Sequence, residues 1–421
     1  MRAELLFGPE KLPVKLPEHA LLLETTPAPV IPEPLRAVEA ALAQPIGSPP
    51  LQELARGKKS ACVVISDITR PVPNQLILPP LLQALERAGV PQEGIVILIA
   101  TGMHRPNLGE ELEGLVGREV AANYRIENHY CRRQEDLRLV DHIDGAPIEI
   151  NRHYLDAELK ILTGLIEPHM YAGYSGGRKA ILPGISSLRT MEFMHSFQMI
   201  DHPRVTNCVL EGNPFHEAGE KVARLVGADF ILNVVIDQKR RLTGVFAGHW
   251  QKAHLAGCRM VEKHAVHRLK ERADLVVTSG GGAPLDATFY QVSKGLIMAR
   301  NILRPGGTIV IACQCREGLG SPDYCGLIRR GLSAREFFRQ FRDPANFVTD
   351  QWCLQTTYQA VDHAGRILVY SPELAASDLE GLGMEKIDDL QAAVDALLPD
   401  HPRVVVVPEG PYVVGLVEGK G

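Results

Sequence analysis

The sequence predicts an α/β protein of two domains, each built on a largely parallel sheet. Three observations predict it. The chain has 421 residues, a length that favours two or three domains over one. Its apolar runs are nearly continuous Val, Ile and Leu, as in strands covered on both faces. These runs alternate with stretches of helical periodicity, the order of βαβ units.

Taken in order, the Pro-rich segment 27–50 reads as a connector or arm. ACVVISD (61–67) reads as a strand, LILPPLLQALERAG (76–89) as an amphipathic helix, and GIVILIATG (94–102) and ELKILTGLIEP (158–168) as further strands. KAHLAGCRMVEKHAVHRLKERA, ending at 273, reads as a long linking helix. A second domain then starts near residue 270. ADLVVTSGGG (273–282) is a strand ending in a triple-glycine turn, and ATFYQVSKGLIMARNIL is the helix after it, with Asp286 or Thr288 near its cap. RPGG closes that helix, TIVIACQCREG is the next strand, and RILVYSPEL and RVVVVPEG supply further αβ material. The expected boundaries are 1–268 for an N-terminal domain carrying the chemistry and 269–421 for a C-terminal domain. The last residues are expected to return to the N-terminal domain. No short internal repeat is evident.

Composition narrows the function. At 45% hydrophobic and 23% charged the chain is an ordinary globular protein, and its net charge of -5 offers no broad basic field for nucleic acid. No apolar run approaches the ~20 residues of a membrane span. The N-terminus MRAELLFGPEKLPVKLP lacks the apolar core of a secretory signal. Eight cysteines in so long a chain do not make a disulfide framework, so a reduced cytoplasm is expected. Cys313 and Cys315 form the only close pair and read as buried, inert thiols.

The chemistry concentrates where strands end. In open α/β sheets ligands bind at the carboxyl ends of strands. Asp67 and Arg70 follow the first of these ends, His104 the second and His169 the third. Two imidazoles on opposite sides of one carbon suit a reaction in which one removes a proton and the other returns it. Each could equally be a capping or surface histidine. Past His169 runs Gly173-Tyr174-Ser175-Gly176-Gly177, straight into Arg178 and Lys179. It has neither P-loop nor G-x-G-x-x-G spacing. Free amides in such a loop can cradle an anion, which makes Tyr174, Ser175, Gly176 and Gly177 cofactor-binding candidates and Lys179 the amine beside them. The bland alternative is a surface turn with solvated Arg178 and Lys179. His195 lies in the apolar stretch MEFMHSF, either a core histidine or a metal ligand. Gln291 and Lys294, three apart on the predicted helix and next to Tyr290, could hold a carboxylate or carbonyl oxygen, or form a solvated face. Arg70 could fork onto a carboxylate or phosphate.

These stretches together resemble the nickel-dependent lactate racemases. The resemblance is carried by Asp67-Ile68-Thr69-Arg70-Pro71, Gly102-Met103-His104-Arg105, His169 through Lys179, His195, and Asp286 with Tyr290-Gln291-x-x-Lys294. It covers most of the chain and both domains. It implies a 2-hydroxy-acid racemase or epimerase whose active site lies in the cleft between the domains. It also implies a nickel-pincer nucleotide, a pyridinium-3-thioamide-5-thiocarboxylic acid mononucleotide, joined through its thioamide to Lys179. Nickel would be bound by two sulfurs and a ring carbon of that group and by His195. His104 and His169 would be the catalytic pair; Arg70, Tyr290, Gln291 and Lys294 would hold the substrate, with Asp67 orienting its neighbours. Trp352, in Asp350-Gln351-Trp352, resembles the family's pocket tryptophan. Proteins that make the cofactor are implied partners. A more acidic substrate could draw on Arg105 or Arg178. Two other readings fit the residues alone: a pyridoxal-phosphate-type enzyme using Lys179 as its Schiff base, and a non-catalytic nucleotide-binding module.

Overall fold

The computed structural model describes residues 1–418. The chain folds as two compact units, one of Pro27–Met194 with Pro203–His264, the other of Met1–Thr26 with His195–His202 and everything from Ala265 onward. Each is α/β with a six-stranded sheet.

In the first unit the strands lie in the order Leu242–Gly248, Phe230–Ile236, Leu159–Leu165, Ala61–Ser66, Ile95–Ala100, Arg125–Asn128. All neighbours are parallel except the edge strand Leu242–Gly248, which turns back along Phe230–Ile236. Val63, Ile65, Ile97, Ile99 and Ile161 are fully buried, as their uninterrupted apolar sequence requires. Each such side chain contributes about 1.5–3 kcal/mol by leaving water. Chain order runs outward in both directions from the neighbours Ala61–Ser66 and Leu159–Leu165. The sheet therefore reverses its winding between these two strands, and the crevice at their carboxyl ends is the place where such sheets bind ligands.

The second unit has a fully parallel sheet in the order Glu385–Ile387, Arg366–Tyr370, Leu303–Ala312, Ala273–Ser279, Val404–Val407, Leu21–Leu22. The N-terminal hairpin of Arg2–Phe7 and Glu10–Lys15 belongs here. Its alternating Ala3, Leu5 and Phe7 are buried in one core with Leu275, Val277 and Val310. Chain order alone would have left these residues with the first 268.

Several expectations are corrected. Segment 27–50 is no plain connector: Pro34–Ala43 is a helix burying Val38 and Leu42. Proline at a first turn costs no intrahelical hydrogen bond, so the proline-rich composition hid a helical spacing. The linking helix is Trp250–Ala265 and stops well short of 273. Val266–Leu269 instead pairs parallel with Val414–Val417, a partner far along the chain that local pattern cannot reveal. The last three residues lie outside the described ones. The stretch RPGG does not close a helix; it lies inside the strand Leu303–Ala312, directly after the helix Phe289–Ile302. Among the described residues no helix is long and apolar enough to cross a membrane. Cys313 and Cys315 are buried and free.

Candidate active site

Asp67 leaves the strand Ala61–Ser66 as a buried carboxylate with two partners. Its Oδ2 stands 2.6 Å from His104 Nδ1, and its Oδ1 accepts the Thr69 hydroxyl at 2.6 Å. Burial pushes the Asp67 carboxyl up, but the hydrogen bond and charge of His104, the Thr69 hydroxyl and the charge of Arg70 outweigh it and hold it below the usual carboxylate range. An ionised Asp67 accepts from Nδ1–H, which leaves the Nε2 lone pair of His104 as its outward atom. That side chain is 58% exposed. This is the arrangement of a general base whose tautomer is set by a buried carboxylate. Arg70 lies against Glu167 at 3.1 Å, joining the ends of two adjacent strands. Glu167 was not singled out from sequence, although it immediately precedes Pro168-His169.

His169 is held differently. Pro168–His169 pairs antiparallel with Gly173–Tyr174. In the tight turn between them His169 Nδ1 accepts the amides of Tyr171 at 3.1 Å and Ala172 at 3.2 Å. A neutral ring accepting at Nδ1 carries its proton on Nε2. That Nε2 lies 3.1 Å from Lys179 Nζ. The two histidines thus have opposite hydrogen-bonding characters: neutral, His104 presents an acceptor and His169 a donor.

The glycine loop is not a cradle of free amides. The Gly177 amide donates to Asn233 Oδ1 at 2.8 Å, Ser175 N to Glu167 O at 2.9 Å, and Lys179 N to Gly176 O at 3.2 Å. Ser175 Oγ bridges inward, donating to Leu165 O at 2.7 Å and accepting from Glu167 N at 3.0 Å. Tyr174 is buried at 2% exposure. Arg178 is not solvated: 1% exposed, it donates to Ala172 O at 2.6 Å and Tyr174 O at 3.1 Å. His254 reaches the same loop, its Nε2 at 2.8 Å from Ser175 O. Arg178 and His254 are therefore the internal clamp of this loop, not ligand groups. Nothing local in Gly-Gly-Arg-Lys distinguishes a clamped arginine from a free one. Arg105 is turned to Glu111, at 2.7 and 2.8 Å, and is not held toward the residues above.

Gly177 shows why the loop is glycine. Its φ is +53°, and a Cβ there would stand 2.9 Å from the His254 ring. Gly177→Ala should lose about 1–2 kcal/mol from the left-handed backbone and about 1–3 kcal/mol from overpacking. Denaturant unfolding checks this; a loss below 0.5 kcal/mol, as for an ordinary surface substitution, would show that the loop is slack.

Three buried histidines stand behind this site. Burial pushes His254 and His216 down to about 3, with the Arg178 charge adding to both, and burial pushes His129 down to about 4. Their unfolded value is 6.5. Between those limits the unfolded chain binds more protons than the folded one, so stability is full above 6.5 and falls as pH drops toward 3–4. Each group contributes up to about 1.4 kcal/mol per pH unit across its window. The thermal midpoint should therefore fall steeply from pH 6.5 to 5. A midpoint flat over that range would mean these rings are not held neutral.

The helix Leu188–Met194 of the first unit ends immediately before His195, which belongs to the second unit, so this histidine sits in a turn and not within a helix. Its ring is buried 4.9 Å from that of Trp352. Gln355 on the same helix as Trp352 donates to Phe197 O at 2.9 Å, fastening the segment. Tyr290 donates to Asp350 Oδ1 at 3.2 Å, and Ser321 bonds the other oxygen. Gln291 and Lys294 lie partly buried on Phe289–Ile302, and Gln291 Oε1 is a buried acceptor with no partner among the described residues. Asp286 is structural: its Oδ2 accepts the amides of Gly8 and Gln314 at 2.8 and 3.2 Å.

Residues 7–207 match the family described as lactate racemase N-terminal domain, and residues 269–415 match the lactate racemase C-terminal domain. The lactate racemase of Thermoanaerobacterium thermosaccharolyticum is 34% identical over 389 residues, covering 90% of this chain and 89% of that protein. The lactate racemase of Lactiplantibacillus plantarum is also 34% identical, over 385 residues and 90% of each chain. The solved structure of the lactate racemase apoprotein from T. thermosaccharolyticum superposes with a TM-score of 0.91 at 32% identity, covering 99% of this chain and all of that one. A Thermotoga maritima crystal structure, 18% identical over 91% of this chain and 98% of its own, gives a TM-score of 0.67 and shows the fold alone. The chain belongs to the lactate racemase family of isomerases.

Proposed function

We propose that this protein racemises lactate and compact 2-hydroxy carboxylates like it, through a 2-oxo acid intermediate, with a lysine-tethered nickel-pincer nucleotide. The observation that carries the reading is the Asp67–His104 pair at 2.6 Å, which follows a strand at the point where the sheet reverses. An α-hydrogen beside a hydroxyl is too weakly acidic to exchange readily. Loss of that hydrogen as hydride, with the hydroxyl proton passing to a base, avoids the difficulty. Return of hydride to the opposite face of the planar oxo acid, with a proton returned to its oxygen from the imidazolium formed in the first step, inverts the centre.

The residues fit the implied group by the chemistry of their donors. Lys179 brings an amine beside His169. Among the described residues no three His, Cys, Asp or Glu side chains gather as a metal-holding group. One imidazole, His195, suits an ion whose other donors come from the nucleotide. When bound, the group supplies the hydride acceptor. The rest is the work of the chain. His104 Nε2 takes the hydroxyl proton of one enantiomer, and Asp67 stabilises the imidazolium. His169 Nε2–H meets the oxygen on the opposite side. Arg70, held by Glu167, is assigned to the substrate carboxylate, and Tyr290, Gln291, Lys294 and Trp352 are the further substrate-binding residues of this reading. Gly176 and Gly177 serve by letting the loop close on Asn233 and His254, which sets the position of Lys179. Cofactor-making proteins are its expected partners and the cytoplasm its expected compartment.

The test is chiral chromatography of lactate, 2-hydroxybutyrate, malate, glycerate and gluconate with protein co-expressed with cofactor-making enzymes and checked for nickel and a lysine adduct. Racemisation of lactate is expected. Fully loaded protein inert on every acid would end the proposal; pyridoxal trapped on Lys179 by borohydride would replace it.

A further inference from the structure

We infer that Glu167 is a specificity-determining residue: paired with Arg70, it lets that guanidinium accept one substrate carboxylate and turns away 2-hydroxy acids that bring a second. This narrows the proposed function, on which it rests, since there Arg70 meets the substrate carboxylate. Arg70 and Glu167 follow two adjacent parallel strands, Ala61–Ser66 and Leu159–Leu165. Arg70 Nη1 donates to Glu167 Oε1 at 3.1 Å. Both side chains stay partly open, at 35% and 27% exposure, so solvent and a small anion reach the pair. The contact is through a single nitrogen, which leaves the other N–H groups of the fork for a planar carboxylate. Glu167 therefore does not block the arginine; it spends part of its charge.

The other charges around Arg70 push the same way. Asp67, buried and ionised, also interacts with the Arg70 charge, so one guanidinium answers two carboxylates before any substrate arrives. The remaining arginines of these loops are committed. Arg105 is forked onto Glu111 at 2.7 and 2.8 Å, and Arg178 is buried against the carbonyls of Ala172 and Tyr174. Lys179 is the other cation of these loops, and the tether of the proposed function turns its amine into a neutral thioamide. A monocarboxylate needs only the open side of Arg70. The second carboxylate of a short acid such as malate stays close to the first. It comes to rest in the field of Glu167 and Asp67 with no arginine to answer it. Like charges set against the wrong ligand are a general means of rejecting it.

The experiment is calorimetric titration of lactate and malate into cofactor-loaded wild-type, Glu167→Gln and Glu167→Asp proteins, with racemisation followed alongside. Glutamine keeps an oxygen for the Arg70 N–H and removes only the charge; aspartate keeps the charge. Wild type should favour lactate over malate by about tenfold or more, Glu167→Gln should shrink that preference by about tenfold, and Glu167→Asp should retain most of it. In wild type the preference should also shrink between ~0.02 and ~0.5 M salt, because partly exposed charges are screened. A residue that merely braced Arg70 would weaken both acids alike, leaving the ratio and its salt dependence unmoved. The salt series on wild type decides the matter should Glu167→Gln not fold. A ratio unchanged in Glu167→Gln overturns the inference, as does a wild-type protein that binds malate as well as lactate at low salt. Selective binding of lactate without turnover would sink the proposed function alone; racemisation of lactate and malate with equal efficiency would sink this inference alone.

Discussion

Asp67→Asn should reduce kcat for racemisation by about 10²–10⁴-fold, the usual worth of a positioned general base, while leaving the fold and nickel content close to wild type. An asparagine keeps the shape of the carboxylate and can keep the Thr69 contact. What changes is the proton. Its Nδ2 donates toward His104 Nδ1, which drives the imidazole proton to Nε2 and removes the lone pair that must meet the substrate hydroxyl. The negative charge that stabilises the imidazolium is lost as well. Because Asp67 is the hydrogen-bond partner of that ring among the described residues, no second group there restores the tautomer. Racemisation assays with loaded protein, alongside single-turnover oxo-acid formation from each enantiomer, check this. A decrease of less than fivefold would mean that His104 is not the base. Asp67 also bears on acid stability. Its folded value lies below its unfolded one, so its contribution is complete above the unfolded value near 3.9 and is lost as pH falls through the folded value.

Lys179→Ala should lose the lysine adduct outright and reduce bound nickel at least tenfold, with little change in thermal midpoint. The amine is half-buried, its backbone amide stays bonded to Gly176 O, and the loop around it is secured by other groups, above all Arg178 and Asn233. Removing the side chain therefore deletes the attachment without opening the loop. Intact mass, nickel analysis and calorimetry read the three outcomes separately. A variant that retains nickel and full racemase activity would show that the lysine is no tether. A variant that unfolds early would show that its contact with His169 is structural.

The strands Ala61–Ser66, Ile95–Ala100, Leu159–Leu165 and Ala273–Ser279 were legible because burial on two faces demands uninterrupted Val, Ile and Leu; Phe230–Ile236 and the edge strands were not singled out. The positions of Asp67, His104 and His169 followed from the same fact: a strand that ends in a polar turn delivers its next residues to the crevice. The roles of neighbouring residues were less legible. Arg178 and Lys179 are adjacent and alike in sequence, yet one is buried against two carbonyls and a histidine while the other stands beside His169. The loop amides looked free because their acceptors, Asn233 Oδ1 and Glu167 O, lie on other elements. The helix Pro34–Ala43 was hidden by prolines that a first turn tolerates.

The sequence by itself determined the α/β class, the strand ends and the order of the chemistry-bearing residues, since these depend on local periodicity and on strongly matching motifs. Tertiary structure alone decided which proton each histidine carries. Asp67 Oδ2 sets one tautomer and the amides of Tyr171 and Ala172 set the other. It also decided that residues 1–26 and 195–202 belong with the second unit. Hydrogen-bond direction and core membership depend on atoms brought together from distant parts of the chain, and no local pattern encodes their meeting.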